Sequence, residues 1–388
     1  MRTKRSPRTL LLPAATLLFA LVLGACTQVH VLVLASDAWG GRVPGTAGHD
    51  SAQDYIVAYL QDHGAEAADG TTDAAAYRAP YTGGTNLIAV VPGTDLADEI
   101  VLVGAHYDHV ASCADKGGSA VCNGATDNAA GSAIVLEIAA AIFDSGNAPR
   151  RTVMFAFWDE EERGLVGSRE WIDDNPTVVD NLVAYVNYDI AGANLLPSLA
   201  NETLAVGAES GGAALATAVA NAGGTAPLNL NLLSLIFGQG RSDHANFFNA
   251  SVPSVFFTDA TGPCYHTTGD SYEVLDTGKL RDERDIGIAL VNDLASGATT
   301  PTFDGAAPLA TFEDAVVIHS LLSQGLADVD RFSEADQATL ATHEANLQGI
   351  VDNGAALFTG PDQSTLLVAS LNLVNILTTG DCDGFLDE

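Results

Sequence analysis

Apolar residues recur at two different periods along this chain. Between residues 50 and 61 they fall at Ala52, Tyr55, Ile56, Tyr59 and Leu60, the spacing of one helical face. Residues 86–91 and 100–105 are short apolar runs separated by the turn Pro92-Gly93-Thr94-Asp95, which predicts two strands. Residues 128–143 are rich in Ala, Ile, Leu and Val and read as a buried helix; Thr-Val-Met-Phe-Ala-Phe-Trp at 152–158 reads as a core strand. A helix is expected at 165–172, a strand at 182–188, a helix at 212–222, a strand at 253–258 and a helix at 279–294. Strands that alternate with helices imply an α/β layer fold with a largely parallel central sheet.

The texture changes to Gly, Ala, Thr and Pro at 296–308, a linker composition, and three helical patterns follow at 312–323, 333–351 and 364–377. Ser333 three residues before Asp336 suits a capped helix start. The expected organisation is a leader at 1–25, a catalytic domain at 26–298 and a helical C-terminal extension at 299–388. No internal repeat is visible.

Composition narrows the function. The chain is 47% hydrophobic and 17% charged, with a net charge of −33. A field of that sign disfavours nucleic acid and charge-driven binding to anionic lipid. It suits solubility, high salt or cation binding. The N-terminus is basic from Arg2 to Arg8, apolar at 10–23 with a break at Pro13, and then reads Leu23-Gly24-Ala25-Cys26. That is the pattern of an export signal. Cys26 after small residues resembles a bacterial lipobox, so the expected location is the cell envelope through a lipid on Cys26, or else secretion or the periplasm. Loss of residues 1–25 removes Arg2, Lys4, Arg5 and Arg8 and makes the chain more acidic still. Four cysteines remain, an even number that suits disulfides in an exported chain. Cys113 with Cys122 closes a short loop, which leaves Cys264 for Cys382. No C-x-x-C spacing occurs, which argues against a thiolate zinc site. The tail around Asp381, Asp383 and Asp387 lacks the ligands and length of a calcium loop.

The candidate chemistry sits just past the expected strands. The strand at 100–105 delivers His106-Tyr107-Asp108-His109, the strand at 152–158 delivers Asp159-Glu160-Glu161-Glu162, and the strand at 182–188 delivers Asp189. His266 follows the strand at 253–258 after a Gly-Pro turn, and Asp127 opens the helix at 128. Ligands of open α/β sheets gather at the carboxyl ends of strands. A lone acid there is often a helix cap and a lone His is usually structural. Five such residues on one edge point to metal, because crowded carboxylates need a cation to neutralise them. Imidazole and carboxylate without thiolate fit zinc, and a single carboxylate can bridge two ions roughly 3.5–4 Å apart.

These residues lie in motifs that resemble the co-catalytic di-zinc aminopeptidases, the group of aminopeptidase Y, bacterial leucyl aminopeptidase and glutamate carboxypeptidase. The matching stretches include Leu34-Ala35-Ser36-Asp37 with Gly41-Arg42-Val43-Pro44-Gly45-Thr46, Asn86-Leu87-Ile88-Ala89, Gly104-Ala105-His106-Tyr107-Asp108-His109 and Gly124-Ala125-Thr126-Asp127-Asn128. Further matches are Glu161-Glu162-Arg163-Gly164-Leu165, Asn187-Tyr188-Asp189, Ser242-Asp243-His244 and His266-Thr267-Thr268-Gly269-Asp270, all in the family's order. The resemblance covers residues 34–294 and implies a three-layer zinc-exopeptidase (phosphorylase/hydrolase-like) fold. It also implies two zinc ions, with Asp127 bridging, His106 and Asp189 completing one site, and Glu162 and His266 completing the other. Glu161 becomes the general base, although the run of three glutamates also admits Glu160-Glu161. Gly164-Leu165 and Gly167-Ser168 favour the register on Glu161-Glu162. Asp108 is expected to orient His106, and Asp270 to do likewise for His266. His109 and His244 read as structural or polar lining. Tyr265 is a candidate donor to the oxyanion. Arg241 is a candidate substrate contact, although a salt bridge is its plainer reading.

The expected activity is therefore release of N-terminal residues from peptides with a free amine. A carboxypeptidase or dipeptidase would need a basic pocket, for which only Arg241 stands out. A one-metal relative such as glutaminyl cyclase, or a non-catalytic scaffold, fits the complete ligand set less well. The absence of G-x-S-x-G leaves a serine hydrolase unsupported.

Overall fold

Residues 151–158 alternate between two environments: Val153, Phe155 and Phe157 face one apolar layer, and Met154, Ala156 and Trp158 face another. The same alternation separates Val101 and Val103 from Leu102, and Ala184 and Val186 from Tyr185. Period-two alternation between two buried faces marks a sheet covered on both sides. In the computed structural model, residues 27–382 are described, so the expected leader, the lipid site at Cys26 and the tail from Asp383 lie outside the described residues.

Along the chain the elements are α1 (Thr27–Leu34), α2 (Ala47–Asp62), β1 (Arg78–Tyr81), β2 (Gly84–Val91), β3 (Leu96–His106), α3 (Ala130–Asp144), β4 (Arg151–Trp158), α4 (Val166–Asp174), α5 (Pro176–Val179) and β5 (Leu182–Tyr188). Then come β6 (Glu202–Val206), α6 (Gly212–Gly223), β7 (Asn229–Leu233), α7 (His244–Asn249), β8 (Ser254–Thr258), α8 (Thr277–Ser296), α9 (Phe312–Gly325), α10 (Glu334–Asn353) and α11 (Gly360–Leu377). The eight strands form one mixed sheet in the order β1-β2-β4-β3-β5-β8-β6-β7. The centre is parallel: β3 pairs with β4 and β5, and β5 with β8. β1, β2 and the β6–β8 seam supply the antiparallel pairings. This is the expected α/β sheet, and its register sets His106 beside Trp158 at the carboxyl end of β3.

One face carries α1, α2, α3, α6 and α8. The opposite face is shared. Trp158, Trp171, Tyr185 and Phe247 fill it near β4 and β5. Near β6, β7 and β8, Val206, Leu233 and Phe256 pack against Ala315, Ile318, Leu322, Leu366 and Ala369 of the C-terminal helices. Burying one such Leu, Ile or Phe side chain is worth ~1.5–3 kcal/mol, and this layer buries many. α9 opens with a capping box in which the Thr311 side chain and Asp314 satisfy each other's backbone N–H groups.

Two differences from the sequence reading bear on the site. The helix expected from residue 128 begins at Ala130, because Asp127 and Asn128 hold extended, non-helical backbone. β1, β6 and β7 are strands that the apolar pattern does not reveal.

Candidate metal centre

The carboxyl ends of β3, β4 and β5 bring three loops together, and α3 points its first residues at the same spot. Asn128 makes the junction: its Nδ2 donates to the Tyr188 carbonyl at 2.8 Å and its Oδ1 accepts the Gly131 N–H at 3.0 Å. Gly131 has to be glycine here, since a Cβ would lie 2.1 Å from Asn128 Oδ1. Gly124 is required too, with φ +57° and a Cβ position 2.2 Å from the Asp127 carbonyl oxygen.

Asp127 lies at the middle of two donor groups. Its Oδ1 is 3.2 Å from His106 Nε2, which is itself 3.3 Å from Asp189 Oδ1. Its Oδ2 is 3.1 Å from His266 Nε2, which is 3.0 Å from Glu162 Oε2. The other oxygen of Glu162 meets His109 Nδ1 at 2.8 Å. The donor atoms of His106, Asp127 and Asp189 form one cluster, and those of His109, Asp127, Glu162 and His266 form a second. All five ligands expected from the sequence are thus brought together, along with His109, which the sequence reading treats as structural or as lining. The signal available for His109 was its position three residues after His106.

Glu161 stands apart from both clusters and close to one, with Oε2 4.0 Å from His106 Nε2. Glu160 turns elsewhere: its carboxylate takes a hydrogen bond from Arg163 Nη1 at 2.5 Å. Asp108 holds this turn in place. Its Oδ1 accepts the Glu161 N–H at 3.1 Å and lies 3.4 Å from His106 Nδ1, while Oδ2 faces the Glu162 N–H at 3.4 Å. Asp270 has a different place from the one expected. It accepts the N–H and hydroxyl of Thr126 and the N–H of Asp127, so it orients the shared carboxylate rather than His266. His266 has a left-handed φ of 52°, held where its carbonyl accepts the Ala114 N–H in the loop closed by the Cys113–Cys122 disulfide.

Beneath the site, fully buried Arg42 donates to the carbonyls of Leu34, Tyr107, Asn123 and Gly124, fixing the backbone on either side of the ligand loops. Burial lowers its guanidinium to about 10 against the pull of Asp270 and Asp127. Tyr265 stacks on His266 with ring centroids 3.9 Å apart and borders the cavity over the clusters. Arg241 borders it as well. Its Nη1 is 3.5 Å from Thr261 Oγ1, and it makes no ion pair among the described residues, so the salt-bridge reading fails. His244 is buried against Phe256, away from both clusters.

The electrostatics call for cations. Burial opposes protonation of His266, yet Asp127 and Glu162 outweigh it and hold the imidazole up at about 10. Burial likewise opposes charge on His106, and Asp189 and Glu161 drive it well above the ordinary range. Burial, reinforced by Asp189 and Asp243, pushes Glu161 well above the usual carboxylate range against the pull of His106. Four acids in one buried pocket thus draw positive charge onto imidazoles, and divalent cations would satisfy the same demand. Imidazole nitrogens and carboxylate oxygens, without sulfur, form a donor set suited to zinc.

Comparison with known proteins agrees with this geometry. The family model described as "Peptidase family M28" matches residues 86–291, which hold every residue of both clusters. The chain is 31% identical over 221 residues to leupeptin-inactivating enzyme 1 of Streptomyces exfoliatus, covering 57% of this chain and 45% of that protein. It is 36% identical over 126 residues to a "Probable glutamate carboxypeptidase" of Arthroderma benhamiae, covering 31% of this chain and 16% of that one. The chain thus spans less than half the length of either curated relative. Among solved structures, the LapA aminopeptidase of Legionella pneumophila superposes with a TM-score of 0.59 at 17% identity, over 76% of this chain and 79% of that one, a likeness of fold. With the family model covering more than half the chain and both clusters inside it, the chain belongs to peptidase family M28.

Proposed function

We propose that this chain is a two-zinc aminopeptidase. The observation that carries the reading is the division of Asp127, with one oxygen toward His106 and Asp189 and the other toward Glu162 and His266. A carboxylate so placed suits a bridge between two ions. His106 and Asp189 would hold one zinc, and Glu162 and His266 the other. His109, hydrogen-bonded to Glu162, either orients that ligand or joins it. Bound there, the zinc ions supply Lewis acidity that favours ionisation of water and polarises the scissile carbonyl.

The chain's own groups do the rest. Glu161 takes the proton of the attacking water and returns it to the leaving nitrogen as the C–N bond breaks. Asp108 holds Glu161 in line through the backbone N–H. The Tyr265 hydroxyl donates to the oxygen that becomes negative when the carbonyl carbon turns tetrahedral.

The cavity supports amine rather than carboxylate recognition. Its lining includes Asp127, Glu161, Glu162 and Asp189, with Arg241 the single cationic side chain. Two zinc ions would offset the charge of these four acids, so the case against a C-terminal carboxylate is that Arg241 alone in the lining could pair with it. Arg241 is the observation that favours the second reading, a carboxypeptidase of the same family. Its substrates would meet that guanidinium with their terminal carboxylate. The two disulfides support an exported location, where a lipid on Cys26 would tether the enzyme to the cell envelope.

The test is release of aminoacyl anilides with and without a chelator, beside N-acetylated anilides and N-blocked dipeptides. Cleavage of free-amine substrates alone, abolished by chelation, is expected. Cleavage of the N-blocked dipeptides, or a rate unmoved by chelator, would overturn the proposal.

A further inference from the structure

The cavity over the metal centre, about 70 Å³, adjoins a larger one. A second cavity of about 150 Å³ shares Leu204, Leu233, Phe237, Gln239, Ala260 and Val374 with it. The second cavity runs between the β6–β7 end of the sheet and the C-terminal helices, with Ile318 and Leu322 from α9 and Leu373 and Leu377 from α11 on its far wall. Its two acids are already satisfied: Asp259 pairs with Lys279 at 2.9 Å, and Glu202 accepts the side-chain amides of Asn229 and Asn231. A cavity of this volume takes a benzene-sized group.

From this shared wall the geometry points to α11 as a specificity element, with Val374 as the residue between the metal centre and the apolar cavity that a substrate side chain must pass to enter the latter. The occupant is the aliphatic or aromatic side chain of the residue being released, which rests on the aminopeptidase reading above. Val374 lies outside the 86–291 span of the family match, so this wall belongs to the C-terminal extension of the chain. The extension is anchored where the role requires. Cys382 is disulfide-bonded to Cys264, two residues before His266. Lys116 Nζ donates to the carbonyls of Pro263, Thr378 and Gly380 at 3.0, 3.2 and 2.9 Å, which ties the end of α11 to the loop that carries Tyr265.

Two readouts on the zinc-loaded protein test this. The first is the ratio of kcat/KM for leucine anilide over alanine anilide. Val374→Trp, which blocks the passage, lowers this ratio by about tenfold or more, the discrimination a few methylenes produce in an apolar pocket. Val374→Ala, which carries no risk of overpacking, raises the phenylalanine-to-leucine ratio. The second readout is calorimetric binding of n-alkylamines from propyl to hexyl. Affinity rises about fourfold per methylene in the wild-type protein and by clearly less in Val374→Trp. A leucine-to-alanine ratio that neither variant moves, or equal increments per methylene in wild type and Val374→Trp, overturns the pocket. Intact increments in a protein that cleaves no free-amine anilide overturn the aminopeptidase reading and leave the pocket standing.

Discussion

Asp270 accepts the backbone N–H of Asp127 at 3.1 Å, so a carboxylate 143 residues further along the chain holds the residue whose carboxylate faces both clusters. The same carboxylate accepts both donors of Thr126, and all of these groups are buried. Asp270→Asn would turn at least one N–H toward these donors. The expected result is zinc affinity lowered by roughly 10–100-fold, as for other groups that orient metal ligands. Competition with a graded chelator reads this directly. A dissociation constant unchanged from wild type would remove Asp270 from the metal site.

Glu161 and Glu160 separate under substitution. Glu161→Gln is expected to lower kcat by about 10²–10⁴-fold, the usual contribution of a general base, with zinc content unchanged. Glu160→Gln releases only the Arg163 contact and retains most of the activity. The assignment fails if Glu160→Gln alone abolishes turnover in protein that still holds its zinc.

The central sheet was legible because β3, β4 and β5 carry short apolar runs rich in β-branched and aromatic residues, unlike the longer Ala-rich run of α3. The edges were not. β1 reads Arg-Ala-Pro-Tyr, and its Pro can sit only at a sheet edge. β6 and β7, Glu-Thr-Leu-Ala-Val and Asn-Leu-Asn-Leu-Leu, mix polar and apolar residues over too few positions to stand out. At the site, motif order located His106, Asp127, Glu162, Asp189 and His266. It could not locate what those residues lean on. His109 gains its role from Glu162, 53 residues away, and Asp270 from a backbone N–H that no side-chain pattern displays.

His244 predicts an acid-side loss of stability. Burial against Phe256 depresses its imidazole to about 3, so the folded protein holds it neutral. The unfolded chain protonates it near pH 6.5. Its contribution is therefore complete above pH 6.5 and declines as pH falls toward 3. Neighbouring Asp243 runs the other way, since burial raises its carboxyl to about 7 and folding gains as it protonates. Comparison with His244→Gln isolates the histidine. Between pH 7 and 5 the wild type should lose about 2 kcal/mol more than the variant in urea titrations, from ~1.4 kcal/mol per pH unit below the unfolded value. Equal losses in the two proteins would show that His244 does not control this slope.

Salt should stabilise this protein rather than weaken it. The chain carries 49 acids against 16 lysines and arginines, and residues such as Asp50, Asp54, Asp62 and Asp69 stand exposed. Their mutual repulsion acts against the compact state. Ion pairs at the surface, such as Arg150 with Asp95, are too few and too exposed to offset it. Raising ionic strength from about 0.01 to about 1 M shortens the screening length from ~30 to ~3 Å, which removes most of that repulsion. The unfolding midpoint should therefore climb with potassium chloride, by roughly 2 °C for each kcal/mol relieved in a chain of this size. Perchlorate distinguishes screening from general salting-out, because it screens charge equally but does not strengthen apolar burial. A midpoint that rises at low perchlorate as it does in chloride supports repulsion as the cause. A midpoint that falls in both salts would show that surface ion pairs, not repulsion, dominate the electrostatics of the fold.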